Sequence, residues 1–132
     1  MEIEEAIPIF CAADETLNGL IAGRIYYDEL PSTGFTLPAV VYSRISTARD
    51  HVVDTRSPRF QFTAWAATRP AAGAVEAAIE DAFIRYKGRA SGIAIIQGVI
   101  EVAGYDMPAE TDEYGARYGR ACDVVIHYRT DI

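Results

Sequence analysis

The stretch Arg59–Lys87, RFQFTAWAATRPAAGAVEAAIEDAFIRYK, decides the fold. Its opening alternates. Phe60, Phe62 and Ala64 fall on one side, and Arg59, Gln61, Thr63 and Trp65 on the other. Side chains leave a strand with period two, so one face is core and the other meets water or a partner. After Pro70 the period changes. Val75, Ile79, Ala82, Phe83 and Tyr86 form one apolar stripe at helical spacing, with Glu76, Glu80, Asp81 and Arg85 away from it. Pro70 suits the first helical position, and Gly88 suits the residue just past the end. Asp81 and Arg85 form an i,i+4 pair of the favourable order. A strand with one apolar face thus runs straight into a helix that can cover it.

The reading extends outward from there. Ile3, Ile7, Phe10 and Cys11 lie at helical spacing, with Glu2, Glu4 and Glu5 in the opening turns, where carboxylates suit the helix dipole. Pro8 interrupts that pattern, because an internal proline costs ~3 kcal/mol. The helix is therefore expected to start near Pro8 or to kink there. Asp14 reads as the N-cap of a second short turn through Leu17, Leu20 and Ile21, closed by Gly23. A strand Arg24–Tyr27, a proline-containing loop Asp28–Pro38 and a strand Ala39–Thr47 follow, then a polar stretch Ala48–Pro58. Beyond the helix, strands are expected at about Gly92–Tyr105 and Ala116–Arg129, joined by an acidic loop, DMPAETDEYG. The expected fold is α+β: one domain over 1–132, an antiparallel sheet of about four to five strands packed with two helices, in the order α-β-β-β-α-β-β.

Composition bounds the function. The chain has 132 residues, 50% of them hydrophobic, and a formal charge of −7. At 14.5 kDa, folding would leave roughly 6,900 Å² exposed out of about 21,000 Å², enough burial for a core without staples. A pI near 4.7 argues against a phosphate backbone as the main partner. No apolar run reaches the ~18 residues of a membrane span. The first residues, MEIEEAIPIF, are acidic where an export signal is basic. Cys11 and Cys122 read as two buried thiols in a reducing cytoplasm. The two histidines and two cysteines fall in no zinc-binding spacing, and no cofactor is expected.

Few residues invite chemistry. His51 lies between Asp50 and Asp54, a pattern that fits a carboxylate-oriented general base, but its surroundings read more simply as a solvated loop. His127 alternates onto the outward face of the last strand. Cys11 and Cys122 sit on apolar faces, without the electropositive, accessible setting a reactive thiol needs. Trp65, opposite Phe60 and Phe62, is either an interface anchor or is covered by a helix; alternation alone leaves both open.

Several segments in order carry a resemblance: CAAD at 11–14, LIAGRIYYDELP at 20–31, LPAVVYSRIS at 37–46, the Arg49–Asp50–His51 step, RFQFTAWAATRPAAGAVEAAIEDAF at 59–83 and RACDVVIHYR at 120–129. Together they resemble the tail completion or tail terminator proteins of long-tailed bacteriophages across nearly the whole chain. Pro8 departs from the uninterrupted first helix of that family. The resemblance implies a structural, non-enzymatic virion protein without cofactor, assembled in the host cytoplasm and placed at the head-proximal end of the tail. It would form a ring, six-fold in such proteins, that caps the tail tube and meets the head–tail connector. Genome DNA would pass through the ring unbound, and no membrane would be involved.

A closed ring needs two different, complementary patches on each chain. Residues 1–30 carry seven acids and one base, 31–71 two acids and five bases, 72–90 three of each, and 91–132 seven acids and three bases. The candidate interface is therefore the basic stretch with its neighbours: Arg44, Arg49, Asp50, His51, Arg56, Arg59 and Trp65. An acidic channel would repel phosphate, so Asp106, Glu110, Asp112 and Glu113, with Glu2, Glu4 and Glu5, are candidate lining. Two other functions stand beside this one: a small hydrolase using His51 with Asp50 or Asp54, and a monomeric protein-binding adaptor.

Overall fold

A computed structural model describes residues 3–31, 35–46, 55–85, 89–90, 93–112 and 115–130. Helix α1 spans Ile3–Ala13 with Pro8 inside it, burying Ile3, Ala6, Ile7, Phe10 and Cys11. The expected late start is corrected, and one contact explains how the helix holds ahead of the proline. Pro8 has no N–H to give the carbonyl of Glu4, four residues earlier. That carbonyl instead accepts the hydroxyl of Tyr42 at 2.5 Å. Helix α2, Glu15–Ile21, is capped as its sequence requires: the Asp14 carboxylate accepts the amide of Leu17, and Ala22 closes the helix in the left-handed region.

The strands are β1 (Ile25–Tyr27), β2 (Ala39–Ser46), β3 (Thr55–Arg56), β4 (Arg59–Ala66), β5 (Arg89–Ala90), β6 (Ile93–Asp112) and β7 (Gly115–Thr130), with helix α3 (Arg69–Arg85) between β4 and β5. They form one sheet in the order β1-β2-β4-β7-β6-β5, with β3 pairing β7. The sheet curls into a half-barrel. This corrects the expected fold in three respects. The described residues form three helices rather than two, because α2 is a helix in its own right. Among the described residues the sheet has seven strands, two of them two-residue pieces too short to show a period. It is mixed rather than antiparallel, because β1 runs parallel to β2. Parallel neighbours need a crossover of roughly a dozen residues, and Asp28–Pro38 supplies it.

The acidic stretch after Tyr105 is not a loop either. β6 continues through it, pairing as far as Asp112 with Gly115. Two local features permit this. Register shifts between Met107 and Glu110, so Pro108 lies at an irregularity where its missing N–H is tolerated. Cross-strand ion pairs Arg117–Glu110, Arg117–Asp112 and Arg120–Asp106 then hold the arm together.

The helices cover one face. Phe60, Phe62 and Ala64 point there and are fully buried, as are Cys122, Val124 and Ile126 of β7. Burial of each large apolar side chain contributes about 1.5–3 kcal/mol. Phe83 of α3 meets Phe62 at 4.9 Å between ring centres. α3 also buries one charged residue that the stripe placed away from the core. Glu76 is 2% exposed and lies against Gly104 of β6, so close that a β-carbon there would fall 2.0 Å from its Oε1. Burial, then a hydrogen bond with Glu80, raises the Glu76 pKa to about 8. The expected helix residues Tyr86 and Lys87, with Gly88, lie outside the described residues.

Candidate functional site

The face away from the helices carries the polar side chains of the central strands. Four strand positions on it form a hydrogen-bonded line across β4, β7 and β6. Arg59 donates to Asp123 at 2.6 Å. Tyr105 donates to the other oxygen of Asp123 at 3.2 Å and accepts from Gln61 at 2.7 Å. Asp123 is nearly buried, and a buried carboxylate needs such partners. The alternation of β4 predicts which residues share this face, but not that they join.

Further along the same face lies a cavity of about 410 Å³. Val41, Ser43, Gln61, Thr63 and Trp65 form its floor, and Asp28–Pro31 with Phe35 form one wall. The opposite wall is the end of the β6–β7 arm, with Glu110, Asp112 and Arg117. Arg117 organises this wall. Its guanidinium meets Glu110 at 2.6 Å and Asp112 at 2.8 Å. It also lies over the rings of Phe35 and Trp65, at 5.6 and 5.8 Å from their centres. Asp28, Glu29, Glu110 and Asp112 against one arginine leave the groove acidic.

Trp65 belongs to this groove. Among the described residues no helix residue lines the groove, yet Trp65 is only 8% exposed. Gly119 on β7 opposes it, and a β-carbon at Gly119 would come within 2.8 Å of the indole. The ring therefore lies on a position where only glycine leaves room. Arg117 closes it from the other side.

The other candidate interface residues are dispersed. Arg44 pairs with Glu4 at 2.6 Å and lies over Phe60, tying β2 to α1. Arg59 is held by Asp123. Arg56, half-buried on β3 opposite Tyr128, makes no ion pair among the described residues. Arg49, Asp50 and His51, and with them the His51 site, lie outside the described residues. Of the candidate channel residues, Asp106, Glu110 and Asp112 sit on β6 in ion pairs, while Glu113, like Glu2, lies outside the described residues. Glu4 is taken by Arg44.

One polar pair was not visible in the sequence. Ser57 and His127, seventy positions apart, meet at 2.6 Å between Oγ and Nδ1. The bond fastens the turn before β4 to β7. Both cysteines are free and buried. Burial, with Asp14 nearby, pushes the Cys11 thiol up to about 12, and burial raises Cys122 further, so neither is a thiolate at neutral pH.

No known family model matches the chain, and no curated protein is significantly similar to it. Among solved structures, it is similar to a chain described as "Virion of native gene transfer agent (GTA) particle". The two share 19% identity at a TM-score of 0.55, over 96% of this chain and 94% of that one. The likeness establishes a shared fold along almost the full length of both.

Proposed function

We propose that this chain is a structural subunit of a phage-like virion, acting as a tail terminator rather than as an enzyme. In that role it assembles as a ring on the head-proximal end of the tail tube, stops tube growth and offers its other side to the head–tail connector. Genome DNA passes through without specific binding. The observation that carries the reading is the fold shared with a gene transfer agent virion chain over nearly all of both lengths. The ordered segments of the sequence, from CAAD to RACDVVIHYR, favour the terminator within that class.

The structure adds physical support. A heterologous ring contact joins two unlike patches. The acidic groove lies at one end of the sheet and Arg56 at the other, since Arg56 pairs at Tyr128 whereas Arg117 lies near the start of β7. The test is direct. The protein is added to the cognate purified tail tube protein during polymerisation, and tube lengths are measured by electron microscopy. Arrest at a small molar fraction, set by tube ends rather than tube mass, is expected. Tubes that lengthen as before at equimolar protein refute the proposal.

A further inference from the structure

We infer that the acidic groove is the receptor for the opposite end of a second copy of this chain, with the neighbour's Arg56 entering it. This deepens the ring reading and rests on it. Four observations converge. The groove is a cavity of about 410 Å³ with an aromatic side at Phe35 and Trp65, within the size range of a recognition pocket. Its rim carries Asp28, Glu29, Glu110 and Asp112 against Arg117 alone, so it favours a cationic visitor.

The third observation is inside the groove. Thr63 is only 8% exposed and lines the cavity floor beside Ser43 and Gln61. Hydroxyl and amide side chains of this kind can accept hydrogen bonds from an entering donor. The fourth is the position of the complement. Arg56 is free of ion pairs among the described residues and sits at the Tyr128 end of β7. Five residues of strand separate that end from Asp123, opposite the groove's Gln61, about 17 Å at ~3.3 Å per residue and more than an arginine side chain spans. Arg56 therefore cannot reach its own groove, but a head-to-tail neighbour can present it. This assigns Glu110 and Asp112 to contact between subunits rather than to a channel wall.

The test uses Glu29, which is exposed and lies outside the Arg117 ion pairs, so its reversal leaves the arm intact. Wild type, Glu29→Arg, Arg56→Glu and the double variant are compared by sedimentation equilibrium in low salt, with circular dichroism confirming the fold of each. Wild type is expected to self-associate. Each single variant should weaken association about tenfold or more, because it sets like charges together. The double variant should recover it. The proposal is overturned by single variants that associate like wild type, by a double variant that does not recover, or by a wild-type chain still monomeric at about 0.5 mM, where even a millimolar contact shows. If tube arrest persists in any of these cases, the groove assignment fails while the terminator reading stands.

Discussion

Replacing Tyr42 with Phe, alone and together with Pro8→Ala, tests how an internal proline is accommodated in α1. In the wild type, the Tyr42 hydroxyl supplies the hydrogen bond that Pro8 cannot give to the Glu4 carbonyl. Burial raises the Tyr42 pKa to about 12, so the phenol remains a donor throughout the working pH range. Tyr42→Phe keeps the ring against Phe60 and Phe62 and removes only the donor. The half-buried carbonyl then lacks a partner, at a cost of about 1–3 kcal/mol. Pro8→Ala restores an N–H at the right position and relieves a clash worth up to ~3 kcal/mol, less about 0.4–1 kcal/mol from the freer unfolded chain. In that background Tyr42→Phe should cost about 1 kcal/mol less, since the restored amide can serve the same carbonyl. Urea denaturation of the four proteins gives the cycle. If the cost of Tyr42→Phe agrees in both backgrounds within about 0.5 kcal/mol, the usual additivity error, the two residues are not coupled through Glu4 and the account is wrong.

Two other outcomes are expected. Glu76 holds its proton in the folded protein up to about pH 8, against 4.5 for an ordinary glutamate. The folded state thus binds the proton more tightly, and stability falls as pH rises from about 4.5 through 8, by at most ~1.4 kcal/mol per unit. Glu76→Gln should flatten that slope and be the more stable protein at pH 8.5; a slope parallel to wild type in urea melts from pH 5 to 9 refutes this. Gly119→Ala should push the indole of Trp65 off β7 and destabilise by about 1–3 kcal/mol. Because Trp65 is the only tryptophan, its emission should shift to the red; unchanged emission and stability would show that the ring has room.

The sequence was most legible where structure is local. The alternation of Arg59–Ala66, the apolar part of the α3 stripe from Val75 to Phe83 and the Asp14 cap each follow from neighbours within a few residues, and each is present. What it concealed was set at long range. Tyr42 rescues a helix thirty-eight residues away. The direction of β1 depends on which strand it pairs with, and a three-residue strand carries no mark of that. The acidic stretch reads as a loop by composition, and becomes strand only because Arg117 and Arg120 face it across the arm. Glu76 looks like a solvent residue by spacing, and its burial follows from Gly104 leaving it space on β6. Of the candidate site, alternation found the face and Trp65, but not the groove that Arg117 builds over it.

The charge pattern has the same double character. Acid at both ends of the chain and base in the middle invites a reading in terms of partners. Much of it is spent within the subunit instead: Arg44 with Glu4, Arg59 with Asp123 and Arg85 with Asp14 each join segments far apart in sequence. Those involving Arg44 and Arg59 are partly buried and therefore weakly screened, whereas Glu29 and Arg56 would face each other across a wet rim, where screening acts over ~8 Å at physiological salt. Folding and association should accordingly separate as salt is raised. A self-complementary subunit would use such a division: partly buried pairs such as Arg44–Glu4 and Arg59–Asp123 fix its shape, and more exposed charges such as Glu29 would govern whether copies join.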